Sequence, residues 1–279
     1  MPRLTTREFV EALCFGDKMF RTLKGVAPNR NHCGRINFVT GRHSILLDAA
    51  VQNRRFGIKC YTLPQPHLGE VCTTLSSLHN NIIIHPTALP QELWVGDRHI
   101  DIALYPWVEG HTLDWEIRKA LHDGNSPHLR HLLDSFCRLS ERLLEGEWRH
   151  GDLKCENIIV RPDGEMIMVD CDALYHPTLP FRGEVGTPPF IHPARGEAYD
   201  SHIDDYAIAL ITTSLGALAT NPRLAVAECM VAAPSEHKTE EIARALKHDE
   251  HLLYLLDALH SSDYKINNLK QIIGCINRR

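Results

Sequence analysis

The stretch His150-Gly151-Asp152-Leu153-Lys154-Cys155-Glu156-Asn157, followed by Met168-Val169-Asp170, decides how this chain is interpreted. Two carboxylates, a lysine and an asparagine stand at short spacing between aliphatic runs. The connection Arg161-Pro162-Asp163-Gly164 is typical of a tight turn, so Ile158–Val160 and Glu165–Val169 are predicted to form a hairpin. The polar residues therefore flank a predicted β-hairpin.

These residue types suit phosphoryl transfer from a magnesium nucleotide. Asp152 can orient a hydroxyl nucleophile, and Lys154 can steady the moving phosphoryl group. Asn157 and Asp170 offer the hard oxygen ligands that magnesium prefers. The alternative is a polar loop before a strand, without chemistry. The supporting residues described below appear in the right order along the chain, and this favours the catalytic interpretation.

Composition and charge indicate a globular chain without a nucleic-acid or membrane partner. Its 279 residues suit one or two domains, and 43% of them are hydrophobic, enough for an ordinary core. The net charge of -5 does not favour nucleic acid. Charged residues interrupt any secretory signal near residue 7, and no run approaches the ~18 apolar residues of a membrane span. Nine scattered cysteines without a C-x-x-C pair predict free thiols in a reducing, cytoplasmic compartment.

The first part of the chain is predicted to form a small sheet with one helix packed on it. Helical apolar spacing covers residues 5–24 and Leu68–His79. Strand-like runs lie at Ile36–Thr40, Ile45–Val51, Phe56–Thr62, Ile82–Ile84, Leu93–Val95 and Ile100–Leu104.

The chain becomes helical after a boundary near Glu109–Thr112. Ser126-Pro127 supplies a capping hydroxyl and a first-turn proline for a helix. Apolar residues then recur at threes and fours: Leu129, Leu132, Leu133, Phe136, Leu139, Leu143 and Leu144. Further apolar runs follow at Tyr206–Leu218, Leu224–Val231, Ile242–Leu246 and Leu252–Leu259.

The two opening motifs resemble the catalytic loop H-x-D-x-K-x-x-N and the metal-binding loop D-F-G of the protein kinase superfamily. The resemblance, closest to bacterial eukaryotic-type serine/threonine kinases, covers about residues 36–215. It implies an α+β, bilobal fold with ATP and Mg²⁺ as cofactors. The implied divisions are an N-terminal helix and loop (1–34), a small antiparallel sheet with one helix (35–109), and a larger, mostly helical lobe (110–279).

The same resemblance assigns the nucleotide site. Phe56-Gly57-Ile58-Lys59-Cys60 looks like the third-strand A-x-K motif, which places Lys59 on the phosphates. Glu70, nine residues before His79, would pair with Lys59. In the hinge-like segment 105–110, the Pro106 carbonyl and the Val108 N–H would meet adenine. Ile159 would lie under the ring, although it suits plain core packing equally well.

A third segment, Gly186-Thr187-Pro188-Pro189-Phe190-Ile191-His192-Pro193, resembles G-T-P-x-Y-x-A-P. Thr187 would hydrogen-bond Asp152 and Lys154, as in members that act on serine or threonine. Asp204 resembles the start of the D-x-W-S-x-G helix and would bind backbone N–H groups of the catalytic loop.

Several positions depart from the family pattern. The glycine-rich phosphate loop is reduced to Gly41, so there are fewer backbone donors for phosphate. D-F-G is replaced by Asp170-Cys171-Asp172, and the glutamate of A-P-E by Ala194. Gly151 replaces the arginine of H-R-D, which removes the usual anchor for a phosphate on the activation segment.

Three functions remain open from the sequence. The first is an ATP-dependent serine/threonine protein kinase with a protein as substrate or regulatory partner. The second is a small-molecule kinase of the aminoglycoside or choline type, which shares the sequence motif H-G-D. The third is a nucleotide-binding pseudokinase that acts as a regulator. The oligomeric state and the substrate are not determined by the sequence.

The magnesium hypothesis makes a direct prediction. Asp170→Ala should abolish phosphoryl transfer and leave the fold intact, because one of the few groups that neutralise triphosphate charge is lost. The cost is on the order of several kcal/mol of transition-state stabilisation. A transfer assay alongside a circular dichroism spectrum measures both effects, and unchanged activity would remove Asp170 from the site.

Overall fold

In the computed structural model the chain divides into two compact units. One comprises Met1–Asn80 with Ile84–Val108, and the other comprises Asn81–Ile83 with Glu109–Arg279. The structure describes residues 4–41, 43–78, 80–181, 183, 186–224 and 236–278, without the side chains of 236–238.

The first unit is an antiparallel sheet with two helices. Its elements are α1 (Thr6–Cys14), β1 (Val26–Pro28), β2 (Phe38–Thr40), β3 (Ser44–Val51), β4 (Arg54–Tyr61), α2 (Leu68–Ser77), β5 (Thr87–Val95) and β6 (Arg98–Pro106). The strand order is β1-β3-β4-β6-β5, and β2 also pairs with β3. Because β1 lies opposite the end of β3 and β2 opposite its start, the two form one interrupted edge.

Helix α1 covers the sheet because its sequence has a capping box and an apolar face. The Thr5 side chain accepts the N–H of Glu8, and the Glu8 carboxylate accepts the N–H of Thr5. Phe9 and Leu13 are buried in one cluster with Leu47 of β3 and other strand residues.

The predicted strands at the start of this unit are confirmed, but two other predictions are wrong. The helix expected over 5–24 ends at Cys14, and a short 3-10 helix, Gly16–Met19, follows it. The backbone N–H groups of Thr22 and Leu23 donate to the carboxylate of Glu92, which lies some seventy residues away in β5. Local spacing cannot reveal such a distant partner. The run Ile82–Ile84 forms no strand, and Ile83 makes a single bridge to Met168.

The second unit is mostly helical. Its elements are β7 (His111–Thr112), α3 (Leu113–His122), α4 (Ser126–Glu145), β8 (Ile158–Val160), β9 (Met166–Met168), α5 (Asp205–Thr220), α6 (Glu236–Leu246), α7 (Glu250–Leu259) and α8 (Leu269–Asn277). Strands β7, β8 and β9 form a small antiparallel sheet. Helix α5 packs against α4 and α7, and α4 also packs against α8.

The long helix and the hairpin of this unit agree with the sequence. Helix α4 begins at Ser126, and the leucines at threes and fours face the interior. The prediction that Ser126 caps the helix is wrong, because the side chain of Asn125 is the cap and accepts the N–H of His128. Strands β8 and β9 pair around the predicted turn. The spacing did not reveal α3 or α8, and most of the predicted run Leu224–Val231 lies outside the described residues. The coarse α+β class is therefore confirmed.

Two further sequence expectations concern thiols and membranes. In the part of the chain that the structure covers, each cysteine is a free thiol, and those at 60, 72, 137, 155 and 171 are buried. Burial raises the pKa of Cys60 to about 12. None of the described helices is both long and apolar enough to cross a bilayer.

The buried carboxylate of Glu92 makes the fold of the first unit sensitive to pH. Glu92 is 1% exposed and also accepts the Thr22 hydroxyl at 2.6 Å. Burial acts to raise the pKa of Glu92, but hydrogen bonds from Leu23 and Thr22 outweigh it and hold that pKa below its ordinary value. Its stabilising contribution is therefore present above the unfolded-state pKa and is lost as pH falls through the folded-state pKa.

Glu92→Gln should lower the free energy of unfolding by about 1–3 kcal/mol at neutral pH, because charge-assisted bonds are lost in the interior. The difference from the unchanged protein should shrink as the solution is acidified. Denaturant unfolding at several pH values measures this difference. Glu240→Gln, at an exposed position, is the control and should change the free energy of unfolding by no more than about 0.5 kcal/mol. A deficit for Glu92→Gln that grows towards low pH would contradict this account.

Candidate active site

A buried carboxylate at the start of α5 holds the loop that carries Asp152. Asp204 is 1% exposed and accepts hydrogen bonds from the backbone N–H groups of His150 (2.6 Å) and Gly151 (3.0 Å). The buried His150 ring has Nε2 2.8 Å from the carbonyl oxygen of Val169, and its Nδ1 accepts the N–H of Asp152. These bonds assign the ring proton to Nε2. The contact predicted for Asp204 is confirmed.

Gly151 has no room for a side chain. Its φ is +83°, and a Cβ atom would lie 1.9 Å from the carbonyl oxygen of Ala173. A left-handed backbone and a close backbone approach both require glycine. An arginine at this position, as in the H-R-D motif that the sequence resembles, therefore cannot be accommodated in this backbone.

Lys154 joins the loop that carries Asp152 to the segment that contains Thr187. Its Nζ donates to Oδ2 of Asp152 at 2.8 Å and to Oγ1 of Thr187 at 2.9 Å. The side chains of Lys154 and Asp152 are only 19% and 18% exposed, so the pair is largely shielded from water. The predicted contact between Thr187 and Lys154 is confirmed, whereas Thr187 reaches Asp152 through the lysine ammonium group.

The two predicted metal ligands are held on adjoining segments. Asn157 donates from Nδ2 to the carbonyl oxygen of Asp152 (2.9 Å) and to its Oδ2 (3.3 Å), so Oδ1 of Asn157 is left for another partner. The Val169 N–H donates to the carbonyl of Asn157 at 2.9 Å, which fixes the backbone just before Asp170. Asp170 has a φ of +63°, a left-handed conformation of the kind that clusters at functional sites.

These two donors suit magnesium better than a metal ion whose ligands all come from the protein. Within the described ranges, no group of three or more His, Cys, Asp or Glu is placed to hold a metal ion. One amide oxygen and one carboxylate are typical of magnesium, which keeps several waters and shares its coordination with nucleotide phosphates. Asn157 and Asp170 would therefore hold the ion.

The first unit buries Lys59 but leaves Glu70 at the surface. Lys59 is 6% exposed in β4, with Nζ 5.4 Å from the centre of the Tyr61 ring. The Glu70 carboxylate lies 3.1 Å from Nδ1 of His67, and 61% of its side chain is exposed. The ion pair predicted between Lys59 and Glu70 is not formed in this structure. His79, from which the offset to Glu70 is counted, lies outside the described residues.

The position of Glu70 follows from the apolar face of α2. The residues of that helix that pack inside are Leu68, Val71, Cys72 and Leu75. At about 100° per residue, Glu70 lies on the opposite side of the helix. The nine-residue offset between Glu70 and His79 does not specify how the helix is rotated about its axis.

The hinge-like residues end the first unit on an open strand edge. The Trp107 N–H donates to the Arg55 carbonyl at 3.3 Å, and residues alternate in an antiparallel ladder, so the Pro106 carbonyl points away from β4. On the other side of β6, β5 begins opposite Leu104. Proline costs no ladder bond at such a position. Val108 is the last residue of this unit.

Ile159 belongs to the second unit. It is the central residue of β8, pairs with Ile167 of β9, and is half-buried. Its predicted role under adenine remains a prediction.

Two residues beside the loop carry no motif that points to them. Tyr175 exchanges two backbone hydrogen bonds with Arg149, at 3.0 and 2.9 Å, which ties the segment after Asp170 to the loop that carries Asp152. Arg195 is 6% exposed and lines a crevice with Asp152. The only signal for Arg195 in the sequence is its place directly after Ala194, where the family has a glutamate.

Neither a scan of protein-family models nor a search of curated proteins returned a match to this chain. The function is therefore argued from the geometry of the site.

The steric role of Gly151 can be tested against a glycine that has space. Gly151→Ala should lower the melting temperature and the free energy of unfolding by more than about 1–2 kcal/mol, the cost of a left-handed conformation alone. Gly69→Ala in α2 is the control: a Cβ atom added at Gly69 would meet no other atom within 4 Å, and alanine should stabilise that helix by about 0.5–1 kcal/mol. Equal stability of the two variants would show that the loop has another conformation.

Proposed function

We propose that this chain is an ATP- and magnesium-dependent kinase of the protein kinase type, with a bilobal fold, that phosphorylates serine or threonine hydroxyls of a protein. The observation that supports this most is the Lys154 ammonium group, which is bonded at once to Asp152 and to Thr187. In small-molecule kinases the segment with Thr187 has no such task. A peptide-directed enzyme needs the segment that receives the substrate fixed to the catalytic carboxylate.

In this proposal the Asp152 carboxylate receives the substrate hydroxyl. Its Oδ1 atom is enclosed, so Oδ2 is the oxygen that a hydroxyl can approach. The hydroxyl oxygen forms a bond to the γ-phosphorus as the bond to ADP breaks, and the hydroxyl proton passes to the carboxylate. Lys154 balances the charge that develops beside Asp152.

Other residues bind the nucleotide. Lys59 holds phosphate, the backbone of Pro106 and Val108 meets adenine, and Ile159 packs under the ring. Asn157 and Asp170 hold magnesium, which when bound neutralises charge on the phosphates. Glu70 joins this set only if α2 rotates from its observed position.

A nucleotide-binding pseudokinase is the second candidate, and two observations favour it. The Glu70 carboxylate lies against His67 and not against Lys59. The sequence also offers few glycine N–H groups between β2 and β3 for the phosphates. A protein with this arrangement could bind ATP and act on a partner without turnover.

Incubation with γ-labelled ATP and Mg²⁺ distinguishes the candidates, with Asp152→Asn as the inactive control. Label on the protein itself or on an added protein substrate supports the proposed kinase. ATP consumption only in the presence of an added aminoglycoside or choline supports the small-molecule alternative. Saturable ATP binding without transfer in any of these assays supports the pseudokinase and rejects the proposal.

The threonines of the segment after Asp170 give a sharper prediction. Thr187→Ala should lower kcat about 10- to 100-fold, because a hydrogen bond to a charged group contributes roughly 1.5–3 kcal/mol. Thr187→Ser, which keeps the hydroxyl, should recover most of the rate. Thr178→Ala is the control and should stay near normal, since the exposed Thr178 hydroxyl bonds only to His176 among the described residues. An inactive Thr178→Ala with a fully active Thr187→Ala would contradict the peptide-kinase assignment.

A further inference from the structure

A narrow crevice lies behind the catalytic carboxylate. Its walls include Asp152, Gly186, Thr187, Arg195 and Asp204, and it is too narrow for a ligand. Oδ1 of Asp152 is buried here without a hydrogen bond from the described residues, 3.5 Å from where a Cβ on Gly186 would be. Lys154 pairs with the other oxygen of this carboxylate, Oδ2, at 2.8 Å, so Oδ1 is the side of Asp152 on which a charge in the crevice wall acts.

Arg195 is the cation of this wall. It is 6% exposed, and its Nη1 donates to the carbonyl oxygen of Ile203 at 3.3 Å, directly before Asp204. Burial lowers the pKa of Arg195, and the carboxylates of Asp204 and Asp152 oppose that change. Burial likewise raises the pKa of Asp204. The buried cation and the buried carboxylates therefore offset part of each other's desolvation cost.

We propose that Arg195 is a positioning residue for Asp152 and supplies buried positive charge behind its carboxylate. The contacts form a continuous path. Arg195 donates to the carbonyl oxygen of Ile203. The residue after Ile203, Asp204, accepts hydrogen bonds from the N–H groups of His150 and Gly151, and Asp152 comes directly after Gly151 in the chain. The effect on catalysis rests on the proposed function, whereas the effect on the loop does not.

Amide hydrogen exchange tests the loop directly and requires no activity. Arg195→Met should speed exchange of the His150 and Gly151 amides by about tenfold or more, while the amides in the centre of α4 keep their rates. Arg195→Lys, which keeps the charge, should stay close to the unchanged protein. Arg138→Met is the control for loss of one positive charge, because Arg138 bonds to Ser135 within α4.

A phosphoryl-transfer assay measures the effect of Arg195 on catalysis. Arg195→Met should lower kcat about tenfold with KM for ATP within about twofold, and Arg195→Lys should recover most of the rate. The proposal is overturned if the two loop amides exchange as before in Arg195→Met, or if exchange rises equally throughout the chain. Should Arg195→Met not fold, Arg195→Gln is measured by the same criteria. Faster loop exchange in a protein that never transfers phosphate would reject the proposed kinase and still support the positioning role.

Discussion

The carboxylate of Asp204 accepts two backbone hydrogen bonds from the loop before Asp152, and the geometry of the proposed site depends on them. Burying a carboxylate costs free energy, and short bonds to N–H donors offset that cost. The N-terminus of α5 also favours a negative charge at this point. Because α5 is buried around almost its whole circumference, the loop is fixed to one of the most enclosed elements of the unit.

A second layer of contacts extends from this anchor. Lys154 connects Asp152 to Thr187, and the amide group of Asn157 binds the Asp152 backbone and its carboxylate. Each polar group thus limits the rotation of the next, and such networks are worth more together than singly. Arg195 adds charge behind the carboxylate, where no ligand fits. Tyr175 ties the segment after Asp170 to the same loop through two backbone bonds with Arg149.

The two units differ in how many of the residues proposed for the site they hold in the expected positions. In the second unit the residues proposed for catalysis and for metal binding are already held by hydrogen bonds. In the first unit Lys59 is enclosed but Glu70 faces solvent beside His67, since the apolar face of α2 fixes the rotation of that helix. The rotation of α2 about its axis, which sets the position of Glu70, therefore distinguishes the kinase interpretation from the pseudokinase interpretation.

The sequence by itself determined the elements whose signal is local. Turn residues specified the β8–β9 hairpin, leucine spacing specified α4, and motif spacing predicted that Asp152, Lys154 and Asn157 lie together. Tertiary structure decided what depends on distant partners: the turn after α1 set by Glu92, the steric need for glycine at 151, and the buried charge of Arg195. A pattern of neighbours along the chain carries periodicity, but it carries neither the rotation of a helix about its axis nor the atom against which a backbone packs.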